Sequence, residues 1–114
     1  MAEDVDRPVL IYCTFPGRDI ALSIAGELVD GKLAACVNVL GEITSIYNWE
    51  NTRQQEVEVA VLIKTRSGLA GAVSHKVSER HPYDVPAVLV LPVDGGLPAF
   101  CNWIMRETQA KLAG

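Results

Sequence analysis

Cys13 and His81 are the side chains best suited to chemistry in this sequence. Cys13 closes the apolar run Val9-Leu10-Ile11-Tyr12-Cys13-Thr14-Phe15, just ahead of Pro16-Gly17. His81 opens His81-Pro82-Tyr83-Asp84-Val85-Pro86, where two prolines flank a tyrosine. Proline fixes φ and pushes the preceding residue toward extended geometry, so His81 and Tyr83 sit on a stiff turn. A thiolate and an imidazole form a soft donor pair suited to copper, above all Cu(I), or to zinc. Asp84 offers a carboxylate as a third ligand. The same pair also reads as a nucleophile and its base. No orienting third group or oxyanion-hole donor accompanies it, and no GxSxG, HExxH, P-loop or GxGxxG pattern occurs. An enzyme is therefore not expected, nor an organic cofactor. The plainer alternative is a Pro-Tyr turn that only ends a helix, with Cys13 at the edge of a core.

A second constellation is Lys64-Thr65-Arg66, two cations closing a strand. With Tyr47, Trp49 and Glu50 on the hairpin partner, and Tyr83 from the turn, these residues are candidates to line an anion-accepting cleft between subunits. The competing reading is a strand end kept soluble by its charge. His75 lies among Ser74, Lys76 and Ser78 and reads as a solvated helical histidine. Cys36 and Cys101 lie in apolar surroundings and read as inert thiols.

The elements that must position these groups are bounded by length and composition. A chain of 114 residues, 49% hydrophobic and 21% charged, is enough for one domain with a real core. Its net charge of −4 and the lack of any Lys/Arg cluster argue against a nucleic-acid partner. No apolar run approaches the roughly 20 residues of a membrane span. Residues 1–7 are acidic, lack the pattern of a secretory signal and read as a disordered tail, leaving a single domain over 8–112. Three cysteines without a CxxC pair fit a reduced, cytoplasmic protein.

Val9–Phe15 reads as a central strand, broken by Pro16-Gly17. Ile20, Ile24 and Leu28 give an apolar helical stripe from about Asp19 to Asp30, with Gly31 as its stop. Leu33 to Trp49 reads as strand throughout, about 55 Å if straight, which is long for a domain this small. Gly41 marks a bulge or bend. Asn51-Thr52-Arg53 is read as a turn, and Val57, Val59, Val61 and Ile63 alternate in a partner strand. Ser67 caps a helix carrying Leu69, Val73 and Val77. Val88–Leu91 forms a fourth strand, placed beside the second, and Pro98 opens a last helix with Phe100, Trp103 and Ile104.

The order β-α-β-β-α-β plus a terminal helix is the split βαβ, or ferredoxin-like, α+β sandwich. Its helices cover one face of the sheet. The other face has no helix left to cover it, and the long hairpin carries apolar residues past the core. Both features predict a homo-oligomer in which hairpins lie across neighbouring subunits.

Several separated segments share an order: Leu33-Ala34-Ala35-Cys36-Val37-Asn38, Thr44-Ser45-Ile46-Tyr47-Asn48-Trp49-Glu50, Ile63-Lys64-Thr65-Arg66, His81-Pro82-Tyr83-Asp84-Val85-Pro86, Leu91-Pro92-Val93 and Trp103-Ile104. Together they resemble the CutA divalent-cation tolerance family, from about Val9 to Thr108. The resemblance implies a tight homotrimer similar to PII-type signal proteins and a role in tolerance of copper and other divalent cations. Some members carry a copper site, which maps here onto Cys13 and His81. Where members often have a second histidine before the His-Pro-Tyr turn, this chain has Arg80, which removes a ligand. Pro16-Gly17-Arg18-Asp19 replaces the more acidic stretch usual after the first strand. The alternative function is a PII-like sensor or scaffold that binds a small anion or a protein partner at intersubunit clefts.

Overall fold

The computed structural model describes residues 5–108. In chain order these form β1 (Pro8–Phe15), α1 (Arg18–Asp30), β2 (Cys36–Trp49), β3 (Thr52–Arg66), α2 (Ala70–Arg80), β4 (Val88–Pro92) and α3 (Pro98–Glu107), with one 3-10 turn at Ser67–Leu69. The four strands make one antiparallel sheet in the order β2-β3-β1-β4. The expected neighbour of the fourth strand is corrected here. β4 pairs with β1, Cys13 opposite Val88 and Val9 opposite Pro92, and not with β2. Each strand-helix-strand crossover skips one position, so β2 and β4 end on opposite edges of the β3-β1 pair.

Alternation along the central strands builds the core. Val9, Ile11, Cys13 and Phe15 from β1 and Val59, Val61 and Ile63 from β3 point to one face. Ala21, Ile24 and Leu28 from α1 and Val73 and Val77 from α2 close over them. Each such aliphatic side chain, fully buried, stabilises the fold by about 1.5–3 kcal/mol. The stop of α1 is shared: the Gly31 N–H donates to Glu27 O at 3.0 Å, and Lys32 takes the left-handed conformation at φ 63°. Leu33 N–H then donates to Leu28 O at 2.9 Å, so Leu33–Ala35 is a connector and β2 starts at Cys36.

Past the Phe15–Val59 pair, β2 and β3 continue alone as a two-stranded arm. The seven residues of β3 before Val59 carry it about 23 Å beyond the four-stranded sheet. The molecule accordingly measures 45 × 28 × 25 Å. The register shifts between Val39 and Gly41, and Gly41 at φ 111° adopts a conformation that side chains strongly disfavour, which is the expected bulge. The tip is tighter than expected. Glu50 (φ 51°) and Asn51 (φ 66°) form a two-residue turn, while Thr52 and Arg53 already belong to β3. Two successive positive φ values match the twist of a hairpin.

Three further expectations are revised. The second face of the sheet is not wholly bare. α3 lies over the end of β3, where Lys64 Nζ stands 5.3 Å from the Phe100 ring centroid and Arg66 Nε donates to Thr108 Oγ1 at 2.9 Å. Ser67 does not cap α2: its Oγ accepts the Arg7 N–H at 3.1 Å and donates to Asp6. Residues 5–7 are consequently not a free tail. Asp6 also receives Arg66 Nη1 at 2.9 Å and the Gly68 N–H at 2.8 Å. Residues 1–4 and 109–112 of the expected tail and domain lie outside the described residues.

Candidate functional site

The turn after α2 brings His81 against the end of β1. His81 is 8% exposed. Its Nε2 lies 2.7 Å from Thr14 O, and its Nδ1 accepts the Tyr83 N–H at 3.1 Å. These partners assign the proton to Nε2 and the lone pair to Nδ1. The ring stacks on Phe15 at 4.9 Å and leans on Tyr83 at 4.8 Å. Cys13 is fully buried within the helix-covered core, and burial pushes its thiol up to about 12.

The fold therefore brings His81 to β1 one residue past Cys13, but not as a ready donor pair. Both imidazole nitrogens already hold hydrogen bonds within the chain, and the thiol keeps its proton at ordinary pH. Asp84 lines a cleft with Thr14, which points away from the core, rather than joining Cys13. Among the described residues no group of three or more His, Cys, Asp or Glu is arranged to hold a metal ion. Arg80, at the position of the absent histidine, reaches Glu27 and Ser23 and ties α2 to α1. The donor set as folded does not fit a copper centre on Cys13 and His81.

The open face carries a different feature at the same end. The arm and the 83–87 turn border a cleft of about 660 Å³, lined by Tyr47, Trp49, Glu56, Glu58, Tyr83 and Asp84 among others. Tyr47 Oη donates to Glu56 Oε1 at 2.8 Å, and that bond raises its phenol to about 12. Thr14 Oγ1 donates to Glu58 Oε2 at 3.3 Å. The Tyr83 phenol is raised by burial first, then by the charges of Glu58 and Glu56.

Within one chain Lys64 and Arg66 lie apart from Tyr47 and Trp49. Gln54 opposite Tyr47 and Lys64 opposite Cys36 lie ten residues apart along β3, about 33 Å. Arg66 is buried and fully engaged by Thr108, Asp6 and Met105 O. Glu50 stands in the tip turn and does not line the cleft. The cleft is acidic instead. Glu56 and Glu58 were legible only as the polar half of an alternating strand. Nothing in that alternation marks Glu58 as 7% exposed, because the Thr14 contact comes from a distant strand.

An antiparallel β2-β3-β1-β4 sheet with two helices on one face, and a long hairpin arm, define a ferredoxin-like α+β fold. A family model described as CutA1 divalent ion tolerance protein matches residues 9–107, and the chain belongs to that family. It is 38% identical over 101 residues to the chloroplastic protein CutA 1 of Oryza sativa, covering 89% of this chain and 57% of the relative. It is 40% identical over 103 residues to the divalent-cation tolerance protein CutA of Pectobacterium atrosepticum, covering 87% and 94%. The chain thus spans little more than half of the plant relative and nearly all of the bacterial one. Among solved structures, the periplasmic divalent cation tolerance protein CutA of Archaeoglobus fulgidus superposes with a TM-score of 0.87 at 35% identity, covering 90% of this chain and 99% of that one.

Proposed function

We propose that this chain serves divalent-cation tolerance as a homotrimer, its subunits arranged as in PII-type signal proteins. The arm carries this reading. Ile46 (56% exposed), Trp49 (59%) and Val57 (59%) stand on a ribbon that the other described residues leave open. At the opposite edge, β4 pairs with β1 on one side only and presents a free outer edge among the described residues, with Leu89 63% exposed and Leu91 43%. A projecting apolar ribbon and an apolar sheet edge on the same chain complement each other across a symmetric interface. The family name supplies the physiological context, a divalent cation, of which copper is the one expected from the soft donors Cys13 and His81. Three unpaired cysteines support a reducing compartment such as the cytoplasm. No helix among the described residues is long and apolar enough to cross a membrane.

Direct copper binding by Cys13 and His81 is the narrower form of this reading. It costs the His81–Thr14 hydrogen bond and a proton held on a deeply buried thiol, so the geometry favours tolerance that does not pass through this pair. A small-anion sensor is disfavoured in the single chain, because the cleft carries carboxylates where that reading needs cations. The test is growth of cells lacking their own family member under copper and other divalent-cation stress. Wild type and Cys13→Ala restore growth, whereas Leu89→Asp, which breaks the interface, does not. Loss of tolerance in Cys13→Ala with assembly intact contradicts the reading.

A further inference from the structure

The sequence contains two Asp-Gly dipeptides, Asp30-Gly31 and Asp94-Gly95, and the fold holds them in opposite ways. Asp30 is the last residue of α1, and the Gly31 N–H donates to Glu27 O at 3.0 Å. A Cβ added to Gly31 would stand 3.2 Å from that same oxygen, so the backbone here is closely held. Asp94 and Gly95 instead lie in the irregular segment 93–97 between β4 and α3. Both are exposed, and a Cβ added to Gly95 would meet nothing within 4 Å. Among the described residues the Gly95 N–H has no hydrogen-bond partner. The segment leaves the sheet beside Pro92, which pairs with Val9, whereas the arm begins at the other end of β1, past Phe15.

We propose that Asp94 is a site of isoaspartate formation in the native protein and that Asp30 is protected from it. The Gly95 amide nitrogen gives up its proton and attacks Cγ of Asp94. The N–Cγ bond forms, the carboxyl hydroxyl leaves with a proton as water, and a five-membered succinimide closes. Water then reopens the ring. Cleavage of the N–Cγ bond returns aspartate, and cleavage of the bond from nitrogen to the main-chain carbonyl carbon gives isoaspartate. Nothing is oxidised or reduced, and the one water lost is the one regained. The attack needs a nitrogen free of other bonds and a backbone able to leave regular dihedral angles. Glycine in an exposed loop supplies both, without a side chain to crowd the ring. At Asp30 the helical dihedrals and the Gly31–Glu27 bond withhold both. Isoaspartate runs the chain through its own side chain. It adds one carbon to the path from β4 to α3 and leaves a free α-carboxylate, the group on which a carboxyl-methylating repair enzyme acts. The reaction asks only for water and a free amide, not for an open cleft, and it lies beyond the tolerance role.

The test is prolonged incubation of the full assembled chain at neutral pH and physiological temperature, followed by mapping of the tryptic peptides 19–32 and 81–106. Chromatography with fragmentation separates isoaspartate from aspartate, and methyl transfer by an isoaspartate-specific methyltransferase counts the product. Isoaspartate is expected to accumulate at Asp94 and not at Asp30. In the chain unfolded by guanidinium chloride both positions convert and the preference is lost. Asp94→Glu, whose ring is one atom larger, loses the product. Asp94→Asn, with a better leaving group, forms it faster and with the mass gain of deamidation. Gly95→Ala slows it. Absence of isoaspartate at Asp94 in the native chain, equal conversion at Asp30, an inert Asp94→Asn variant or a preference that persists on unfolding overturns the proposal.

Discussion

His81 Nε2 lies 2.7 Å from the carbonyl oxygen of Thr14, the residue that follows Cys13 in β1. This contact fastens the His-Pro-Tyr turn to the end of the central strand, while the ring stacks on Phe15. His81 is then a structural latch. His81→Ala leaves a buried carbonyl unpaired and a gap beside Phe15, and is expected to destabilise the chain by about 2–4 kcal/mol in urea unfolding. His81→Gln, which keeps a donor, recovers part of that. If His81→Ala unfolds at the wild-type midpoint but loses copper affinity, the imidazole is a ligand and the latch reading is wrong.

Cys13 gives a prediction with a pH sign. Burial raises its thiol from the ordinary 9.0 to about 12. Between those values the folded state holds a proton that the unfolded state has released. The stabilisation is complete below about pH 9 and is lost as pH rises toward 12, by up to about 1.4 kcal/mol per unit. At pH 8 the native thiol is expected to resist alkylating reagents, while the half-buried Cys36 and Cys101 react first. Peptide mapping after timed alkylation reads this order. Early modification of Cys13 in the native state contradicts it.

Much of the fold was legible because its signals are local. The alternation of Val57, Val59, Val61 and Ile63, the helical stripe Ile20-Ile24-Leu28 and the punctuation at Pro16-Gly17 each need only a few residues to read. What was not legible depended on distance. Pairing of β4 with β1 is decided by how a crossover helix lands, not by the residues Val88–Leu91. The burial of Glu58 depends on Thr14, 44 positions away, and the employment of Ser67 depends on Asp6 and Arg7. Lys64 and Arg66 looked like neighbours of Trp49 because their strands pair, but a long hairpin places them at opposite ends. The order of segments from Leu33 to Ile104 identified the family, while the hydrogen bonds that occupy both nitrogens of His81 are revealed by no spacing.

Arg66 joins both ends of the described chain, with Asp6 on one side and Thr108 and Met105 O on the other. Arg66→Ala strands these partners and is expected to cost about 3–5 kcal/mol, as for a buried charge network losing its centre. Asp6→Ala is expected to cost less than about 1 kcal/mol, because that carboxylate is 37% exposed and screened by water. Burial alone would raise the Asp6 carboxyl, but hydrogen bonds from Gly68, Arg66 and Ser67 outweigh it and the net shift is downward from 3.8. Its contribution is present above that value and is lost as pH falls through the lowered one. Acid unfolding followed by circular dichroism separates the cases: the stability gap between wild type and Asp6→Ala closes at low pH. A gap that persists unchanged at low pH contradicts the assignment.

The arm's apolar residues are the test of the proposed assembly, because they contribute little to the single-chain fold. Trp49 is 59% exposed and lies past the four-stranded sheet, so Trp49→Ala removes little from the subunit itself. Removing an aromatic anchor buried at an interface costs on the order of 3–5 kcal/mol. The most direct measurement is sedimentation equilibrium of wild type and Trp49→Ala at micromolar concentration and below. Wild type is expected to sediment with three times the mass of one 12.3 kDa chain, and Trp49→Ala to dissociate into folded smaller species at concentrations where wild type does not. A wild-type chain that stays soluble and single at micromolar concentration contradicts the account.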